Sequence, residues 1–245
     1  DLHSFPTRRS SDLHIVTSGG GWTATTRLDV ELELNARAPR ALARRTRVRV
    51  LHGTAEVLGR VALLAPLAPG ARGVARLRLE KPLVARGGDR FVLRSYSPVQ
   101  TIGGGRVLDP DPPARAKQTL AALAGSDPMM LLSGLVARRG EGLPLGVLPV
   151  LWGASPAEAE RQLRAAKGIV SLRDRLVLSE RVRLLEEALL ATLERYHQTH
   201  PHDAGAPAEA LRRGMRAPEW LAREIVDRVV RRRTIELYGD RKSVV

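Results

Sequence analysis

The stretch that decides the fold runs Arg86-Gly87-Gly88-Asp89-Arg90-Phe91-Val92-Leu93-Arg94-Ser95-Tyr96-Ser97-Pro98-Val99-Gln100-Thr101-Ile102-Gly103-Gly104-Gly105-Arg106-Val107-Leu108-Asp109-Pro110. Gly87-Gly88 marks a turn, Asp89–Tyr96 a strand, and Ser97-Pro98 an irregular corner. Gly103-Gly104-Gly105 reads as a second turn before a short strand over Arg106–Leu108. Three glycines permit positive φ and close backbone approach. They lack the GxGxxG and GxxxxGK[ST] spacings and no helix follows, so the sequence predicts a tight turn rather than a phosphate loop. At Asp109-Pro110-Asp111-Pro112-Pro113 the sheet must stop, because proline offers no N–H to a ladder and stiffens the chain into a linker.

Upstream, the period is two. Leu28, Val30, Leu32 and Leu34 alternate with Asp29, Glu31 and Glu33, which gives a strand over Arg27–Leu34 with one buried face. Strand-like runs follow at Arg47–Leu51, Ala55–Leu64 and Val74–Leu79, parted by His52-Gly53 and Pro69-Gly70. Short strands in this density, with no helical period among them, predict a closed antiparallel barrel over residues 26–110, since closure removes exposed edges.

Downstream, alanine, leucine and arginine recur at helical spacing. A linker with a connecting helix (Ala114–Leu123) is expected over 111–124. Helices over Pro128–Arg138, Pro144–Trp152 and Ser155–Lys167 precede a hairpin, Ile169–Leu172 and Leu176–Leu178, making a winged helix over 125–178. Ser155-Pro156-Ala157-Glu158 carries a serine N-cap, proline at the first helical position and glutamate three after the cap. The order repeats over 179–238, with helices at Glu180–His200, Pro207–Met215 and Pro218–Arg233 and a strand at Thr234–Tyr238. No residue-level similarity links the two copies. The second wing is expected to stay unfinished. Residues 1–25, with Leu2–Leu13 foremost, and 239–245 fit neither pattern and are expected to be non-native or residual.

The run Arg47–Val61, with Leu77-Arg78-Leu79-Glu80-Lys81-Pro82-Leu83-Val84 and Arg86–Pro110, resembles the third domain of the selenocysteine-specific elongation factors, the SelB family. It resembles the corresponding domain of elongation factor Tu more loosely. The resemblance is tight over about 26–113 and architectural beyond. It implies an elongation-factor-type antiparallel β-barrel followed by tandem winged-helix domains. It also implies that this is an internal piece of a factor that delivers selenocysteinyl-tRNA to the ribosome in a GTP-dependent manner. In that family the barrel grips tRNA, and later winged helices, absent here, hold the mRNA selenocysteine-insertion hairpin. GTP and Mg²⁺ belong to the parent factor. These 245 residues contain no GxxxxGK[ST] loop, so no cofactor is expected in this piece, and no catalysis, although the parent would be a GTPase.

A net charge of +14, almost wholly from arginine, favours a polyanionic partner. Arg37, Arg40, Arg44, Arg45, Arg47 and Arg49 fall in thirteen residues with no acid among them. Guanidinium forks suit phosphate oxygens, and each contact releases counterions. The family resemblance adds the corner Arg94, Ser95 and Tyr96, able to meet phosphate, sugar and base face. These nine residues are the candidate RNA contacts. With no cysteine there is no disulfide or thiolate metal site, and no apolar run reaches membrane-spanning length; a cytoplasmic setting without membrane contact is expected. His197, His200 and His202 read as a solvated helix end rather than a zinc site. Two rivals stay open. One is a DNA-binding winged-helix regulator with a barrel sensor, suggested by Arg228, Arg231, Arg232 and Arg233. Against it, the third helices also carry Glu158, Glu160, Glu219, Glu224 and Asp227. The other is a piece of a general translational GTPase, which would not carry winged helices after the barrel.

Overall fold

The computed structural model describes residues 20–114, 120, 123, 127–203, 205–238 and 241–244, with backbone alone from 236 on. The segment Leu2–Leu13 lies outside these residues, as does most of the connecting helix expected over Ala114–Leu123. The chain falls into two compact units. One holds the described residues through Arg138 together with Gly146–Ala165; the other holds Arg139–Leu145 and the residues from Ala166 on.

In the first unit six antiparallel strands close a barrel. They are β1 (Ala24–Leu34), β2 (Arg47–His52), β3 (Ala55–Leu63), β4 (Arg72–Val84), β5 (Arg90–Ser95) and β6 (Thr101–Asp109), in the order β1-β4-β3-β2-β5-β6. Two-fold alternation sends Leu28, Val30, Leu32, Val48, Val50, Val61, Leu77, Phe91 and Leu93 into one buried core. The intervening polar residues face out, as the pleat requires.

The glycine run departs from expectation. Gly103, Gly104 and Gly105 are not a turn. They sit inside β6, paired with Leu34, Glu33 and Leu32 of β1 on one side and with Leu93, Val92 and Phe91 of β5 on the other. None has positive φ. A Cβ on Gly105 would collide with the Glu31 carbonyl oxygen, and one on Gly104 would lie 2.6 Å from that of Phe91. Glycine serves close backbone approach here, which lets the last strand close the barrel.

After the barrel come α1 (Pro128–Ala137), α2 (Leu148–Trp152) and α3 (Pro156–Ala165). Asp127 caps α1 by accepting from Met129 N at 2.9 Å, with Pro128 at the first position. Ser155 Oγ accepts from Glu158 N at 3.3 Å, the cap read from the sequence. Gly153 ends α2 in the left-handed region and packs against Gly87 of the barrel, whose N–H donates to Val150 O at 2.9 Å. A buried charge cluster ties α1 to the strands. Arg76 donates twice to Asp29, at 2.7 and 2.9 Å, and Arg138 donates to both Asp29 and Asp109.

In the second unit, β7 (Leu143–Pro144), β8 (Ile169–Leu172) and β9 (Arg175–Leu178) form one small sheet, ordered β7-β9-β8. Helices α4 (Ser179–Thr199), α5 (Ala208–Met215) and α6 (Glu219–Arg231) bury Leu185, Leu189, Leu193, Leu211, Leu221, Ile225 and Val229 together. With them comes the sheet β10-β12-β11, from β10 (Ala206–Pro207), β11 (Ile235–Tyr238) and β12 (Arg241–Val244). This is a winged helix, and its wing is finished. Residues Arg241–Val244 pair with both β11 and β10, contrary to the expectation of an open hairpin. Strand pairing uses backbone groups that any residue but proline supplies, so side-chain type was a poor guide. The chain order α1-β7-α2-α3-β8-β9 recurs as α4-β10-α5-α6-β11-β12, with Leu143-Pro144 and Ala206-Pro207 at equivalent places.

Candidate nucleic-acid interface

The connection between β1 and β2 carries most of the candidate arginines. It is held from inside by Leu42, which is buried and exchanges two backbone hydrogen bonds with Leu67 at 2.8 and 3.0 Å. Asn35 accepts from Arg37 N at 2.9 Å, and the Thr46 hydroxyl donates to Ala43 O at 2.9 Å. Pinned in this way, the loop leaves Arg37, Arg40, Arg44 and Arg45 exposed.

The corner after β5 is built by Ser95. Its hydroxyl donates to Pro98 O and accepts from Gln100 N at 3.2 Å, while Ser95 N donates to Gln100 O at 2.9 Å. The hydroxyl expected to read a sugar is therefore engaged within the corner. Tyr96 stands exposed beside it with the Arg47 guanidinium 4.5 Å and that of Arg49 5.7 Å from its ring centre. Loop and corner together wall a groove of about 640 Å³, lined by Arg40, Thr46, Arg47, Ser95 and Tyr96 over an apolar floor of Leu34, Leu42 and Ile102. Four candidates, far apart in sequence, thus share one groove.

The others divide. Arg94 lies opposite Arg49 across β2 and β5, and the Nε of each is buried with no hydrogen-bond partner among the described residues. Arg44 and Arg45 line a separate hollow of about 380 Å³ with Arg60 and Arg78. Arg37 lines neither. The acid-free run is not acid-free in space. Arg47 makes a bidentate pair with Glu80 at 2.9 and 3.0 Å, and Arg49 pairs with Glu56 at 2.5 Å. The Arg47 hydrogen bond holds the Glu80 carboxyl below its ordinary range. Arg60 and Arg78 lie outside the acid-free run, in β3 and β4; only strand order brings them beside Arg44 and Arg45.

The basic end of α6 is largely neutralised. Arg228 and Arg232 pair with Glu186 at 2.9 and 3.1 Å, and Arg231 pairs with Glu224 at 3.0 Å. At the end of α4, His200 stacks on Tyr196 with ring centres 4.4 Å apart, and no group of residues able to hold a metal ion occurs among the described residues. Among them, too, no helix is long and apolar enough to cross a membrane.

Residues 25–114 match the family described as "Selenocysteine-specific elongation factor, beta-barrel domain", and residues 190–241 match "Elongation factor SelB, winged helix". The two matches occur in this order and together span more than half of the 245 residues. The chain belongs to the SelB family.

Among SelB relatives, it is 29% identical to the selenocysteine-specific elongation factor of Desulfomicrobium baculatum over 232 residues, covering 86% of this chain and 36% of that protein. It is 28% identical to that of Escherichia coli strain K12 over 195 residues, covering 77% and 30%. The crystal structure of a bacterial selenocysteine-specific elongation factor, EF-Sec, shares the fold with a TM-score of 0.59 at 17% identity, over 91% of this chain and 35% of that one. The chain therefore spans about a third of the length of its SelB relatives. All nine candidate residues, with Arg60 and Arg78, lie inside the SelB barrel match. The DNA-regulator reading has no support, since both matched domains are SelB domains and three of the four arginines that suggested it, Arg228, Arg231 and Arg232, are paired with carboxylates.

Proposed function

We propose that this chain is the barrel and winged-helix portion of a cytoplasmic factor that delivers selenocysteinyl-tRNA to the ribosome in a GTP-dependent manner, and that the barrel is its tRNA contact. The groove between the loop 35–46 and the corner 95–100 carries the reading. It sets a guanidinium with no carboxylate partner among the described residues, Arg40, and an exposed aromatic face, Tyr96, over an apolar floor. Arg40 would meet a phosphate by its fork, and Tyr96, backed by Arg47, would meet a sugar or an unstacked base. Ser95 acts by holding the corner in shape. The winged helices would then link the barrel to the part of the factor that meets the mRNA hairpin.

Neither GTP nor Mg²⁺ fits the residues present. The sequence has no phosphate loop, and the described residues contain no group able to hold a metal ion. Nucleotide chemistry is assigned to other parts of the factor.

The test is tRNA binding by the 245-residue chain and by an Arg40→Ala/Tyr96→Ala variant, followed by fluorescence anisotropy. Loss of one aromatic stack and one phosphate contact should weaken binding at least 10-fold, since stacking alone is worth about 1–3 kcal/mol. Parental affinity in the variant would remove the groove from the interface.

A further inference from the structure

On the outer face of the barrel, residues opposite one another across β1 and β4 are chosen by charge. Glu33 faces Arg72 and pairs with it at 2.9 Å; Asp29 faces Arg76 and pairs with it at 2.7 Å. Across β1 and β6, Glu31 faces Arg106 and pairs with it at 2.8 Å. One row breaks the pattern at every step. Arg47 of β2 faces Arg60 of β3, Arg60 faces Arg78 of β4, and Arg78 faces Arg27 of β1. Four arginines thus cross four adjacent strands in register, spanning about 14 Å at the usual strand spacing. Arg60 and Arg78 are exposed, and Arg27 and Arg47 are half-buried. Among the described residues only Arg47 of the four forms an ion pair at contact distance, with Glu80, whose carboxyl also feels the charge of Arg60, and Arg60 donates to Arg45 O at 3.4 Å. Arg44 and Arg45 flank the row, and with Arg60 and Arg78 they line the hollow of about 380 Å³.

Like charges directly opposite in a sheet destabilise it; Arg49–Arg94 and Arg90–Arg106 each do so once, whereas this row repeats the conflict three times over. An external anion resolves the conflict. A single small anion would satisfy one pair of guanidiniums. A row evenly stepped across four strands, open at the surface and continuous through Arg47 with the Tyr96 groove, suits a ligand with phosphates in series. We propose that the row Arg47–Arg60–Arg78–Arg27 is a second contact track, over which the sugar–phosphate backbone of the bound RNA runs away from the groove and across β3, β4 and β1. This rests on the reading of the barrel as the tRNA-binding part and extends it from the groove to the strand face beyond the loop.

The experiment titrates the 245-residue chain with a tRNA transcript across a potassium chloride series. Each phosphate contact contributes about 0.7 to 0.9 to the slope of log affinity against log salt. An Arg60→Ala/Arg78→Ala variant should flatten the slope by about 1.4 to 1.8 and weaken binding at least 10-fold at 0.1 M salt. Arg60→Lys/Arg78→Lys, which keeps the charges, should retain most of the slope. The urea midpoint of the alanine variant should equal or exceed that of the parent, because an opposed pair of like charges has been removed. A lowered midpoint would show that the two arginines serve contacts within the barrel and would overturn the track. So would parental affinity and slope in this variant alongside weakened binding by Arg40→Ala/Tyr96→Ala, an outcome that leaves the groove standing. If neither variant weakens binding, the barrel is not the RNA contact and both readings fall.

Discussion

Replacing Arg138 with alanine should loosen the whole first unit. Arg138 leaves α1 to donate to both Asp29 and Asp109, which face one another across β1 and β6. The side chains of Arg138, Asp29 and Asp109 are each 0% exposed. Removing the guanidinium brings two buried carboxylates side by side with Arg76 as the remaining bidentate partner of Asp29. Breaking a buried pair by deleting one member costs about 3–5 kcal/mol, because a buried charge loses a compensating partner. That is a large part of the roughly 5–15 kcal/mol that holds a domain folded. With a urea slope near 2 kcal/mol per molar, the midpoint should fall by about 1.5–2.5 M. Urea titration followed by tryptophan fluorescence reads this unit through Trp152, which is buried in α2. Arg44→Ala, at an exposed position, serves as the control and should leave the midpoint unchanged. A shift under about 0.3 M for Arg138→Ala, at unchanged slope, would refute the claim that this cluster fastens α1 to the barrel.

Three further outcomes are expected. Gly105→Ala should destabilise the barrel by at least about 2 kcal/mol in urea, since its Cβ would strike the Glu31 carbonyl, whereas Gly146→Ala, with nothing within 4 Å, should be near neutral. Burial pushes the Glu224 carboxyl up, but hydrogen bonds from Arg173 and Arg231 outweigh this and hold it below its ordinary value of 4.5. A depressed carboxyl stabilises the fold above its unfolded value, and that contribution is lost as pH falls through the folded value. The parent's stability should therefore fall more steeply than that of Glu224→Gln as pH drops below about 5, and parallel profiles would count against the pairing. Steady-state phosphate release should detect no GTP turnover by this chain, and turnover abolished by a point change within it would overturn that expectation.

Most of the barrel was legible because two-fold alternation reports burial directly, as in Leu28 to Leu34. What escaped depended on partners distant in the chain. The glycines of β6 look like a turn until β1 and β5 are seen to press on both sides. Strand β4 extends to Val84, beyond the expected Leu79, because its far end pairs with Thr25 and Ala24. The two-residue strands β7 and β10 have no period to read at all. At the interface, local sequence collected the right loop but misjudged its balance. Glu80 neutralises Arg47 from 33 residues away, while Arg60 and Arg78 join the basic face through strand register. The cap at Ser155 was readable because its cause is local.

The central claim is that the barrel, not the second winged helix, is the RNA-binding part. It is tested most directly by comparing Arg44→Ala/Arg45→Ala with Arg231→Ala/Arg232→Ala in filter binding to tRNA over a salt series. Arg44 and Arg45 are exposed, whereas Arg231 and Arg232 are held by Glu224 and Glu186. The first variant should bind more weakly, with a salt slope flatter by roughly one to two units, while the second stays close to the parent. Parental binding by the first variant together with lost affinity in the second would contradict it and move the nucleic-acid contact to the winged helix.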